Sequence, residues 1–182
     1  PPLTCNACAG ALWNQENNAQ ALDNQYTETT LMPYLFCFQS LCYRSRYLGA
    51  NSFGMTIPSD ATINSIVVSI SGYSSHPFSV RDSTIRLTKA YNMVGNNLPD
   101  TVSWSTQDVN RNYGVGSNLW GTTWTPAEIN DPGFGVFYKN YNHSDSVPVF
   151  KLDVVSVTVQ YTTPQGTFTQ ITTPKQFHSH YN

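Results

Sequence analysis

Residues 63–71, Ile-Asn-Ser-Ile-Val-Val-Ser-Ile-Ser, constrain the fold more than any other stretch of the chain. In an extended backbone Ile66, Val68 and Ile70 fall on one face, and Val67, Ser69 and Ser71 on the other. A helix would scatter the same side chains around its circumference. The run is therefore expected to be a strand with one face in a core. Two other stretches share the period. Residues 83–89 put Ile85 and Leu87 inward and Arg86 and Thr88 outward, and residues 152–161 align Val155, Val157, Val159 and Tyr161. Further strands are expected at residues 26–31 and 134–141, in a short piece around Trp104, in one ending at Leu119-Trp120-Gly121, and in one starting at Leu12-Trp13-Asn14. Turns at Pro58-Ser59-Asp60 and Ser74-Ser75-His76-Pro77 separate them. Strands and turns at this spacing predict an all-β fold, an antiparallel β-sandwich of jelly-roll or immunoglobulin-like type.

Composition agrees and adds a compartment. Charged residues are only 11% of the 182, against roughly 25% in an average chain. Asn, Ser and Thr, roughly three residues in ten, compete with helical backbone hydrogen bonds and favour turns and strands. One helical signal survives: Thr125-Pro126-Ala127-Glu128 has an N-cap, a proline at the first helical position and a glutamate completing a capping box. Asp131-Pro132-Gly133 stops it, so a single turn is expected near 125–130. The balance of extended segments and few charges suits a secreted, extracellular or cell-surface protein. The start Pro1-Pro2-Leu3-Thr4 reads as the product of processing.

The four cysteines, Cys5, Cys8, Cys37 and Cys42, form C-x2-C, a long gap, then C-x4-C. Their even number and the extracellular composition point to two disulfides, local or crossed. A zinc site of four thiolates and free thiols are the other readings. Residues 1–12 read as an N-terminal arm, 13–162 as the sandwich domain, and 163–182 as a C-terminal tail. That tail holds a short strand, Thr167-Phe168-Thr169-Gln170-Ile171.

One family resemblance emerges along the domain. It is carried by Phe53-Gly54-Met55, Ile57-Pro58, Ala61-Thr62-Ile63 and Ile66-Val67-Val68, then by Val80-Arg81-Asp82-Ser83-Thr84-Ile85-Arg86-Leu87. It continues through Asn118-Leu119-Trp120-Gly121, Trp124 to Asn130, Phe134-Gly135-Val136 and the closing Leu152 to Tyr161. Together these resemble a widespread secreted β-sandwich module of bacterial surface and phage-associated proteins. Some sandwiches of this kind resemble subunits of extracellular fibrils or pili assembled by donor-strand exchange. The resemblance implies a structural homopolymer in which a terminal strand of one protomer completes a neighbour's sheet, covering an exposed edge. The donor candidates are Leu3 and Ala7 in the arm, then Phe168 or Ile171 in the tail. The alternative is a monomeric carbohydrate-binding or adhesive module.

No enzyme chemistry stands out. The carboxylates are spread among turns, without two that converge as glycoside cleavage needs. No G-x-S-x-G elbow accompanies His76, His143, His178 or His180. No cofactor is implied, and no metal site is expected beyond a stray cation at His143 with Asp145 or at His178 with His180. Net charge is −2 and the nine Lys and Arg are scattered, so no nucleic-acid footprint is expected. No apolar run approaches the ~20 residues of a membrane span. Arg81-Asp82 is expected to form a structural pair. Trp104 and Tyr113 are the candidate sugar-stacking rings, because Trp120 and Trp124 flank the helical turn and read as its packing anchors. Asn142-His143-Ser144 is a glycosylation sequon.

Overall fold

A computed structural model of the chain describes residues 10–33 and 43–180. Cys5, Cys8, Cys37, Cys42, Leu3 and Ala7 lie outside the described residues. The first sheet contains β1 (Thr27–Thr30), β8 (Val149–Thr163), β3 (Thr62–Ser74) and β6 (Val109–Tyr113) in that order. A fifth strand, β9 (Gly166–Thr172), takes the rest of the β8 edge beside β1. The second sheet runs β10 (Gln176–His180), β2 (Tyr47–Asn51), β7 (Gly135–Asn142), β4 (Val80–Lys89) and β5 (Asn92–Val94). All pairings between these strands are antiparallel. The molecule is the expected β-sandwich.

The alternating runs face as their period requires. Ile66, Val68 and Ile70 of β3 are buried against Ile85 and Leu87 of β4 and Val155, Val157 and Val159 of β8 in one core. Aromatic rings fill its centre: Phe150 meets Trp104 edge-on at 4.9 Å between centroids and Tyr138 at 6.0 Å. Such pairs are each worth about 0.5–1.5 kcal/mol beyond the area they bury. The capping box forms as read. Thr125 Oγ1 accepts from Glu128 N at 3.2 Å, and Glu128 Oε2 accepts from Thr125 N at 2.8 Å. The resulting helix α1 spans Pro126–Asn130. Trp120 and Trp124 are both buried, Trp120 Nε1 donating to Ile66 O at 2.7 Å and the Trp124 ring lying edge-on to Phe134 at 5.5 Å.

Several segments differ from expectation. The stretch 163–182, expected as a C-terminal tail with a short strand, belongs to both sheets: the strand at 167–171 forms within β9, which folds back on β8 through Pro164-Gln165, and β10 closes the second sheet against β2. Phe177 supplies β10's inward anchor. In place of a strand starting at Leu12-Trp13-Asn14, single bridges join Ala11 to Ser45 and Asn14 to Glu28, before a 3-10 turn at Glu16–Ala19. Trp104 lies in a loop rather than a strand.

Candidate functional site

The rings expected to stack on sugar are inside the molecule. Trp104 is 1% exposed and Tyr113 5%. Their polar atoms share one buried acceptor. Trp104 Nε1 donates to Asp82 Oδ1 at 2.7 Å, Tyr113 OH to Oδ2 at 2.7 Å, and Tyr138 OH to Oδ1 at 2.8 Å. The Asp100 backbone N–H adds a fourth bond at 3.2 Å. Arg111 Nη1 stands 3.7 Å from Oδ2, with its guanidinium 4.1 Å above the Trp104 ring. Burial pushes the Asp82 carboxyl up, and these donors pull it back toward ionisation. The expected Arg81–Asp82 pair does not form. Adjacent strand residues point to opposite faces, so Asp82 turns inward to Arg111 while Arg81 faces out and donates to Ser103 Oγ at 3.2 Å.

The sequon also differs. Asn142 is fully buried, its Nδ2 donating to Met32 O at 3.1 Å and Ser146 O at 2.8 Å. A glycan has no access to that nitrogen in the folded protein. Phe168 and Ile171 both lie in β9, paired with Tyr161 and Thr158 of the same chain, and both are exposed. Among the described residues no three His, Cys, Asp or Glu side chains are placed to hold a metal ion, and no helix is long and apolar enough to cross a membrane.

The outer face of the second sheet holds a different constellation. On β7 the even-numbered residues from Val136 to Asn142 are buried in the sandwich, so Phe137, Lys139 and Tyr141 point outward. Tyr141 pairs with Arg81 on one neighbouring strand and bridges Arg44 on the other side. One row across the sheet therefore reads Arg44, Tyr141, Arg81. Farther along, Phe137 sits opposite Arg86 and 5.7 Å from the ring of Tyr47, and Lys139 Nζ lies 4.7 Å from that ring. Rings and cations alternate over the face. A register shift between Asp82 and Thr84 in the β4–β7 pairing lets Arg81 and Arg86 share it.

At one end this face deepens into an open groove of about 710 Å³, lined by Tyr43, Arg44, Ser83, Tyr141, His143 and Asp145 among others. The Arg44 guanidinium lies 5.2 Å from the Tyr43 ring centroid, and the Tyr141 and His143 rings are 6.2 Å apart. His143 Nε2 is 3.0 Å from Ser103 Oγ. Burial, then the charge of Arg81, lowers the His143 imidazole below its ordinary range, which leaves it neutral near pH 7. Burial, then the charge of Arg44, brings the Lys139 ammonium down to about 8. The groove offers flat rings, one arginine, a neutral imidazole and a rim carboxylate, with Arg81 beside it as the register partner of Tyr141. That set suits binding a polar ligand with apolar faces.

No family model matches the chain, and no curated protein matches it. Among solved structures it is similar to one described as "CBM4 structure and function", at 10% identity and a TM-score of 0.39 over 76% of this chain and 86% of that one.

Proposed function

We propose that this protein is a non-catalytic carbohydrate-binding or adhesive module acting outside the cell, with the outer face of its second sheet as the binding surface. The observation that carries the reading is the Tyr141 ring set between Arg44 and Arg81 at the mouth of the groove. Pyranose rings present apolar C–H faces that lie on flat aromatic surfaces, and their hydroxyls need donors and acceptors around the rim. A groove of about 710 Å³ falls within the range of small-ligand sites, roughly 300–1,000 Å³. The test is affinity electrophoresis of the intact protein through gels containing soluble polysaccharides. Retardation by at least one polysaccharide, lost in Tyr141→Ala while thermal unfolding is unchanged, is the expected result. Free migration through every gel sinks the reading.

A second reading keeps the filament subunit, as a homopolymer joined through strand edges. One feature favours it: among the described residues β9 pairs on one side only, and its seven residues contain no charge and no proline, the usual guards of an edge. Concentration-dependent polymers in sedimentation, abolished by Thr169→Lys, would support it. A monomer at every concentration would end it.

A further inference from the structure

We infer that the saccharide held by the outer face of the second sheet is acidic, a uronate-bearing oligomer whose carboxylates pair with Arg44 and Arg81 on either side of Tyr141. This rests on the carbohydrate-binding reading and narrows it.

Charge distribution is the first argument. The chain is net negative, with eleven Asp and Glu against nine Lys and Arg, yet this face is cationic. The five strands of the second sheet contain a single carboxylate, Asp82, which is buried on the other side. Arg44, Arg81 and Arg86 sit on the outer face, as does Lys139, which is only 4% exposed. Neither 1–9 nor 34–42 contains Asp or Glu, so those segments bring no carboxylate side chain to it. The rim residue Asp145 is the only acidic group in the groove lining besides buried Asp82.

Partnering is the second. Lys89, Arg111 and Lys151 each have a carboxylate partner within the protein. Among the described residues Arg44, Arg81 and Arg86 have none. Arg44 lines the groove, and its Nε is buried with no acceptor among the described residues, so part of its guanidinium is left unsatisfied by the protein. Arg81 uses Nε on Ser103, and its two terminal nitrogens have no acceptor among the described residues. Planar guanidinium forks match carboxylates in a bidentate geometry that lysine does not provide.

Spacing is the third. Arg44 and Arg81 flank β7, so their backbones stand two strand steps apart, about 10 Å. That is close to the length of a disaccharide unit, so an acidic oligomer can reach both arginines while one ring lies over Tyr141.

The experiment is calorimetric titration of the intact protein with oligogalacturonate, oligoalginate and hyaluronan fragments, each beside its carboxyl-reduced neutral counterpart, with an oligo(dT) strand as a further arm. At least one acidic oligomer should bind at least tenfold tighter than its reduced form. Arg44→Gln and Arg81→Gln should each erase most of that preference, weakening the acidic form far more than the neutral one, with native near-ultraviolet circular dichroism. Neutral and acidic forms bound equally through Tyr141 would overturn the inference and leave the carbohydrate reading standing. An acidic preference untouched by both arginine variants would also overturn it. No saccharide bound at all, or oligo(dT) bound tighter than every saccharide, would overturn both.

Discussion

Tyr113 of the first sheet donates its phenolic hydrogen to Asp82 Oδ2 of the second at 2.7 Å, a polar tie through the middle of the sandwich. Three side chains from three different segments meet this carboxylate, with Arg111 as the compensating charge. A buried charge is tolerated only when it is paired and hydrogen-bonded, and here both conditions hold. The same tie explains why Trp104 and Tyr113 are not available to a ligand, since their polar tips are fixed inside.

Asp82→Ala should therefore be among the most damaging single changes. It leaves two hydroxyls and an indole N–H without their acceptor and removes one of the two carboxylates beside Arg111, which keeps Asp100 and the Val102 and Ser103 carbonyls, for an expected loss of about 3–5 kcal/mol. Asp82→Asn keeps the volume and one acceptor oxygen. The Tyr hydroxyls can rotate to accept from its amide but the Trp104 N–H cannot, so about 2 kcal/mol is expected. Urea unfolding of both variants checks the order, and an alanine variant as stable as the parent would deny the carboxylate its structural role.

Lys139 gives the fold a pH signature. Its ammonium titrates at about 8 in the folded protein against 10.5 when unperturbed, through burial first and the Arg44 charge second. Between those two values the unfolded chain holds a proton that the folded protein has released. The unfolded state thus binds more protons, and the Lys139 contribution to stability rises with pH across that window and is least below it. The difference in unfolding midpoint between parent and Lys139→Met should grow in the parent's favour from about pH 8 to pH 10.5. Parallel curves would show that the amine titrates normally.

The strands that can be read from sequence are those with a strict apolar face. In β3, β4 and β8 the runs Ile66-Val68-Ile70, Ile85-Leu87 and Val155-Val157-Val159 are aliphatic and buried, and there the period of two is plain, although β4 also turns Asp82 inward. In β6 the inward positions are Val109, Arg111 and Tyr113, and a charged residue directed at Asp82 breaks the alternation. In β10 Phe177 is the single apolar anchor, too little to mark a strand. The site is hidden for another reason. Arg44, Arg81 and Lys139 are scattered in sequence and become neighbours only through the registers of β7 with the strands beside it. The run from Val136 to Tyr141 carries aromatics on both faces, so its period does not say which face is wet.

Asn142 is a structural amide rather than an attachment point. Its Nδ2 holds two carbonyls and its Oδ1 accepts from Ser144 N and Ser144 Oγ, both at 2.9 Å. Expression in a glycosylating host should give protein with no glycan at this position by mass spectrometry. Asn142→Asp, nearly isosteric, turns a carboxylate oxygen toward the carbonyls of Met32 and Ser146 and should cost about 2–4 kcal/mol. A modified, normally folded chain would contradict the buried placement.

Two glycines separate backbone strain from crowding. Gly114 and Gly116 have nearly the same left-handed φ, +73° and +77°. A Cβ at Gly116 meets nothing within 4 Å, whereas at Gly114 it would stand 2.6 Å from Trp120 Nε1 and 2.8 Å from Ile66 O. Those two atoms are themselves joined by a 2.7 Å hydrogen bond in the core. Gly116→Ala should lose only the conformational term, about 1–2 kcal/mol. Gly114→Ala carries the same term and must also push the indole off its carbonyl, adding about 1–3 kcal/mol of overpacking. The indole displacement should appear as a changed Trp emission spectrum in Gly114→Ala and not in Gly116→Ala. Equal stability losses with identical spectra would mean that Trp120 is not packed against the Gly114 turn.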